Sequence, residues 1–157
     1  MEGVIFVFGA SCSGKSTLAQ ALQENLSWHR IDRDDLVQGG ASTEDNANQV
    51  LDQKISELKT RIIIDAQIPW RKKQEGEFYF LVHPSLEACL ERDGRRNQRL
   101  DRPPQQAQRA RAYVIRTHKE LSKLPRDLFD DCFDSSALSV EQEVEKVSER
   151  CFQKLVS

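Results

Sequence analysis

The chain has 157 residues, 38% of them hydrophobic, which is enough for one buried core and predicts a single domain over residues 1–157. Lys and Arg total 23 against 25 Asp and Glu, so the net charge of −2 argues against a globally basic nucleic-acid or anionic-membrane binder. No apolar run approaches the roughly 20 residues of a spanning helix, and Met1 leads into a core strand with no secretory leader pattern, so the expected setting is cytoplasmic and away from the membrane.

Val4-Ile5-Phe6-Val7-Phe8 is an unbroken apolar run, as expected of a strand buried on both faces of a parallel sheet. Gly9-Ala10-Ser11-Cys12-Ser13-Gly14-Lys15-Ser16-Thr17 follows directly and fits G-x-x-x-x-G-K-[ST], the phosphate-binding P-loop. Four specified positions match by accident roughly once in 200 chains of this size. Helical residues from Thr17 complete the strand–loop–helix context, in which glycines let the backbone wrap phosphate oxygens and the helix N-terminus supplies N–H donors. The loop residues Gly9, Ser11, Cys12, Ser13, Gly14, Lys15, Ser16 and Thr17 are therefore expected to bind a nucleoside triphosphate, ATP being the expected donor. Lys15 would contact the β- and γ-phosphates, and Ser16 would offer its hydroxyl to Mg2+. Cys12 reads either as a small residue tolerated at a variable position or as a thiol whose oxidation would block the loop. Cys12, Cys89, Cys132 and Cys151 form no C-x-x-C pair and have no histidine at zinc-ligand spacing, so all four are expected as free thiols in a reducing compartment.

Trp28-His29-Arg30-Ile31 reads as a second strand, ending in the acidic cluster Asp32-Arg33-Asp34-Asp35. Such a cluster is either a helix cap or, beside a P-loop, a source of the carboxylate that accepts an acceptor hydroxyl's proton. Asp34 is the expected base, with Asp32 as the alternative. Ser42 could cap a helix running to about Lys59, with Ala47, Val50, Leu51, Ile55 and Leu58 at helical spacing. Arg61–Asp65 is a third strand whose terminal carboxylate has the form of a Walker B acid, so Asp65 is expected at the metal with Ser16. Trp70 reads as a half-buried loop anchor or as a wall of an acceptor pocket.

Phe78–Val82 is a fourth strand, and Pro84 suits the first turn of the next helix. That helix carries Arg92, Arg95, Arg96 and Arg99, of which Arg92, Arg96 and Arg99 share a face. They are either a solvated face or a lid, about 92–104, whose arginines close over the phosphates and stabilise developing charge. The stretch lacks the aromatic residues that would make it a base-stacking surface. Pro103 and Pro104 start another helix toward Leu121, and Asp131–Asp134 is a short fifth strand. Ser139-Val140-Glu141-Gln142 is a capping box for a last helix that buries Val140, Val144, Val147, Cys151 and Leu155. The alternation predicts an α/β P-loop NTPase sandwich of three layers: a five-stranded parallel sheet with helices on both faces.

With these motifs the chain resembles P-loop kinases of the nucleoside-kinase-like superfamily, in particular polynucleotide 5′-hydroxyl kinase domains. The P-loop at 9–17, Ile31-Asp32-Arg33-Asp34-Asp35 and the arginine pair Arg92 and Arg96 carry the resemblance, and Phe133–Ser136 with Ser139 is similar to the family's adenine-side loop. It implies Asp34 as general base and Lys15, Arg92 and Arg96 as catalytic cations that also contact the donor. Val37 stands where that family has a phosphate-gripping arginine, and Asp65-Ala66-Gln67 where it has Asp-Thr-Asn. The chain is also similar to chloramphenicol phosphotransferases, which share the donor half and phosphorylate a small alcohol. The acceptor is thus expected to be a nucleic-acid 5′ end or a small alcohol. A regulatory NTPase without an acceptor is the remaining alternative; the guanine-reading Asn-Lys-x-Asp of GTPase switches is missing. Nothing in the sequence sets the oligomeric state.

Overall fold

The computed structural model describes residues 2–38 and 44–156. Its elements run β1 (Val4–Phe8), α1 (Lys15–Leu26), β2 (His29–Asp32), α2 (Arg33–Gln38), α3 (Glu44–Leu58), β3 (Ile62–Ala66), β4 (Glu77–Val82), α4 (Leu86–Arg99), α5 (Pro104–Ser122), β5 (Asp131–Phe133) and α6 (Val140–Val156). The sheet is five-stranded in the order β2-β3-β1-β4-β5, and every pairing is parallel. Each neighbouring pair therefore needs a crossover, and the helices between strands provide it.

The central strands are apolar throughout because both faces are covered. Phe6, Phe8, Ile62, Ile64, Tyr79 and Leu81 pack on one face, with Leu51 from α3 and Leu121 from α5. Ile5, Val7, Ile63, Phe78, Phe80 and Val82 pack on the other, with Leu18 and Leu22 from α1 and Val147 and Cys151 from α6. These two cores make the three layers that the strand and helix pattern predicts.

Element ends shift by a residue or two for local reasons. The third strand begins at Ile62 because Arg61 has φ 59°, outside extended backbone. Pro84 lies before its helix and not in the first turn: Ser85 is the cap, its Oγ accepting from Ala88 N–H at 3.1 Å. The capping box of α6 forms in both directions, Ser139 N–H to Gln142 Oε1 at 2.9 Å and Gln142 N–H to Ser139 Oγ at 3.2 Å. The expected cap Ser42 and the side chain of Leu155 lie outside the described residues. Among the described residues, no helix is long and apolar enough to cross a membrane.

The C-terminal ends of β1, β2 and β3 are aligned by register, Phe8 beside Ala66 and Asp32 beside Asp65. That register brings the P-loop, the acidic cluster and the end of β3 to one edge, where parallel sheets bind ligands.

Candidate active site

The loop is built around its own tight turns. Cys12 has φ 65° and Gly14 φ 99°, both left-handed, and Gly14 precedes α1 without a side-chain cap. The helix N-terminus is thereby left to a ligand. Helix α1 starts at Lys15, two residues before the expected Thr17, because Leu18 N–H already donates to Gly14 O at 3.1 Å and closes the first turn. Gly9 is required by space: a Cβ there would stand 2.4 Å from Ser13 Oγ and 2.8 Å from Val82 O. Gly9 N–H donates to Gln67 O at 3.2 Å, and buried Ser13 accepts the Lys15 N–H on its Oγ at 3.3 Å. Gly9 and Ser13 therefore shape the loop, while Ser11, Cys12, Gly14, Lys15, Ser16 and Thr17 line a cavity of about 360 Å³ in front of it.

Lys15 and Asp65 form a buried ion pair, Nζ to Oδ1 at 2.9 Å. Asp65 Oδ2 takes Arg30 at 2.7 Å, and Arg30 also reaches Asp32 at 3.4 Å. Burial raises the Asp65 carboxyl, but Lys15 and Arg30 outweigh burial and hold it below its usual range. Asp32 moves the other way, raised by burial and by the neighbouring Asp65 charge. Its Oδ1 accepts from Asp34 N–H at 2.9 Å, so Asp32 starts α2. The cap and base readings of the cluster are thus compatible, since different carboxylates fill them.

Asp34 opens into the same cavity beside Asp32 and Asp35. Its carboxylate accepts from Gln67 Nε2 at 3.1 and 3.4 Å, while Gln67 Oε1 accepts from Tyr113 OH at 2.8 Å. A chain from α5 through the end of β3 thus fixes Asp34. The bond of Gln67 to Asp34, and the places of Tyr113 and Arg30 in this network, do not follow from the sequence. The sequence marks Gln67 only as the residue two places after the strand-terminal acid, where the resembled family has asparagine.

Arg92 is fixed on the loop from outside: Nη1 donates to Cys12 O at 3.2 Å, Ser13 O at 3.0 Å and Ser135 Oγ at 2.9 Å. Arg96, one turn on, lines both the cavity before the loop and a larger one of about 860 Å³ beside it. The larger space is bounded by Gly14, Thr17, Arg95, Arg99, Leu138 and Val140, among others. A triphosphate on the loop has room for its γ end in the smaller cavity and its nucleoside in the larger.

Trp70 is a loop anchor. It packs on Phe6 and Phe8 at centroid distances of 5.8 and 6.5 Å, and its Nε1 donates to Asp52 at 3.1 Å. Ser16 Oγ accepts from Lys15 Nζ at 3.4 Å. No group of three His, Cys, Asp or Glu suited to a metal occurs among the described residues. Magnesium fits such a sparse site, because it keeps waters and shares its remaining positions with phosphates.

No protein-family model matches the chain, and no curated protein matches it in sequence. The fold does match solved structures. It is similar to a shikimate kinase from Acinetobacter baumannii in complex with shikimate, at TM-score 0.68 and 14% identity over 99% of this chain and 96% of that one. It is also similar to a gluconokinase from Sinorhizobium meliloti 1021, at TM-score 0.59 and 19% identity over 96% and 92%. A shikimate kinase from Aquifex aeolicus matches at TM-score 0.59 and 17% identity over 98% and 99%. The chain has the P-loop kinase fold. At these identities the likeness concerns architecture, and the site chemistry rests on the residues above.

Proposed function

We propose that the protein is an ATP-dependent kinase that phosphorylates a hydroxyl group of a small molecule. One observation carries this reading: Asp34, held by Gln67, shares a single cavity with Lys15, Ser16 and Arg96. An alcohol bound there has a carboxylate for its proton on one side and the γ-phosphate site on the other. Asp34 takes the hydroxyl proton as the alcohol oxygen bonds to the γ-phosphorus. The bond from phosphorus to the β–γ bridging oxygen breaks, and ADP leaves with that electron pair. Lys15 and Arg96 face the oxygens that carry charge in the transition state. Ser16, with Asp65 beside it, would hold a magnesium ion, which would supply charge neutralisation at the phosphates. Arg92, bonded to the loop carbonyls, sets the loop's shape and one wall of the nucleoside space, and residues 92–104 act as the lid.

The acceptor half favours a small, uncharged or cationic alcohol over a polynucleotide 5′ end. Asp32, Asp34 and Asp35 line the cavity, against Lys15 and Arg96, which serve the donor. A phosphodiester would meet three carboxylates there. Arg33, the arginine of the Arg-Asp-Asp motif, is buried, and its Nε donates to Asn48 at 2.9 Å. Val37 supplies no charge. The fold similarity to small-molecule kinases agrees with this choice.

The deciding experiment is transfer of labelled γ-phosphate from ATP, with magnesium, to a panel of polyols, amino alcohols and a 5′-hydroxyl oligonucleotide, with Asp34→Asn as control. Label on a small alcohol that disappears in the variant is the expected result. Asp34-dependent label on the oligonucleotide alone would replace the small-molecule acceptor. Slow ATP hydrolysis unaffected by Asp34→Asn, with no acceptor labelled, would overturn the kinase reading.

A further inference from the structure

Glu143 lies in the first turn of α6 and is 2% exposed. Its Oε1 is buried and has no hydrogen-bond partner. Burial pushes its carboxyl up to about 7, against the pull of Arg92 and with the help of Asp134. Arg92 does not satisfy it, because the donors of that guanidinium go to Cys12 O, Ser13 O, Ser135 and Ser136. Native interiors seldom leave a buried carboxyl without a partner, and those that do call for an explanation in a ligand or a function.

The surroundings supply the explanation. Glu143 lines the larger cavity, which shares Cys12, Gly14, Ser16, Thr17 and Arg96 with the phosphate side and is walled elsewhere by Leu138 and Val140, by Ser135 and Ser139, and by the arginines Arg92, Arg95 and Arg99. A cavity that continues from a phosphate loop, offers Leu138, Val140 and arginine planes for a ring to lie against, and holds one buried acceptor suits a flat heterocycle with an N–H on its edge. Resting on the donor reading of the P-loop, we propose that Glu143 reads the nucleobase of the donor, its Oε1 accepting a hydrogen bond from an N–H on the edge of an amino-bearing purine. Adenine offers its 6-amino group, and guanine its N1–H and 2-amino group. Both present the same donor chemistry to the carboxyl, whereas an unsubstituted purine presents none.

The test is competition binding of ATP, GTP, purine riboside triphosphate and inorganic tripolyphosphate to the wild-type protein and to Glu143→Leu and Glu143→Gln. The wild type is expected to bind one amino-bearing purine nucleotide about 10- to 100-fold more tightly than purine riboside triphosphate, the range of a hydrogen bond to a charged group. Preference for ATP assigns the 6-amino group, and preference for GTP the N1–H and 2-amino edge. Glu143→Leu should collapse the ratio to about one while tripolyphosphate binds as before, and Glu143→Gln, which keeps an acceptor oxygen, should retain part of it. Removing an unpaired buried carboxyl does not threaten the fold, and thermal melts of both variants check this. A wild-type ratio near one, a ratio unchanged in Glu143→Leu, or equal weakening of every ligand including tripolyphosphate overturns the proposal while leaving the donor reading intact. Failure of the wild type to bind even tripolyphosphate overturns the donor reading, and this proposal with it.

Discussion

The Lys15 ammonium lies 2.9 Å from Asp65 Oδ1, and both side chains are buried. With Arg30 on Oδ2 at 2.7 Å, one carboxylate holds two cations at the mouth of the P-loop. Removing one partner of a buried pair costs about 3–5 kcal/mol, because the remaining charge stays buried without compensation. Asp65→Asn is expected to lose stability on that scale in urea denaturation, and a loss under about 1 kcal/mol would mean the pair is solvated. Because the folded carboxyl titrates below its usual value of 3.8, its contribution is complete above that pH and disappears as pH falls through the lower folded value.

Asp32 sits beside Asp65 in the β2–β3 register and makes the opposite prediction. Its raised carboxyl means that the charged form costs stability at neutral pH, a cost relieved as pH falls. Asp32→Asn keeps an Oδ1 to accept from Asp34 N–H while removing the like charge facing Asp65. Its melting temperature at neutral pH should rise by a few degrees. A fall would show that the cap requires a full negative charge.

Asp34→Asn should cut turnover by about 100- to 10,000-fold with nucleotide affinity nearly unchanged. Gln67→Leu should cost about 10-fold in kcat by releasing Asp34 from its partner, with a smaller change in KM for the nucleotide. Gln67→Glu would set a second carboxylate beside Asp34 and move the acidic limb of the pH–rate profile upward. A profile that stays in place would remove Gln67 from the positioning role.

The donor half of this site was legible in the sequence because it is local. Val4–Phe8, Gly9–Thr17 and the start of α1 are contiguous in the chain. The parallel sheet and its layering followed from the alternation of apolar runs with helical periods, whereas the strand order is given by the structure alone. The contacts of Gln67, Tyr113, Arg30 and Glu143 were not legible, since they arise only in three dimensions. Gln67 meets Asp34 across 33 positions, Tyr113 meets Gln67 across 46, and Arg30 meets Asp65 across 35. A glutamate at 143 next to a capping box looks like an ordinary solvated helix residue until the cavity beside it is seen.

Gly9→Ala should prevent a native loop. The added Cβ would meet Ser13 Oγ at 2.4 Å and the Val82 carbonyl at 2.8 Å, and the carbonyl belongs to a central strand that cannot retreat. Overpacking of this kind costs about 1–3 kcal/mol or more. Loss of nucleotide binding together with a lower denaturation midpoint is the expected pair of effects. Unchanged binding would mean the loop relaxes around the methyl group.

His83, just past β4, stacks on His118 with ring centroids 4.2 Å apart. His118 Nε2 is 2.8 Å from the Pro84 carbonyl, which can only accept, so that nitrogen carries a proton. His83 Nε2 pairs with Ser122 Oγ at 3.1 Å, and its Nδ1 is buried without a partner. Burial, His118 and Arg126 together lower His83 from 6.5 to about 4. Between those values the unfolded chain binds a proton that the folded one refuses, so stability falls as pH drops from 6.5 toward about 4 and is flat above. One such group sets a slope of up to about 1.4 kcal/mol per pH unit. Urea denaturation across this window should show the slope in the wild type and its reduction in His83→Gln, whose amide does not titrate. Parallel curves for the two proteins would mean that His83 charges freely in the folded state and that the imidazole pair opens to water.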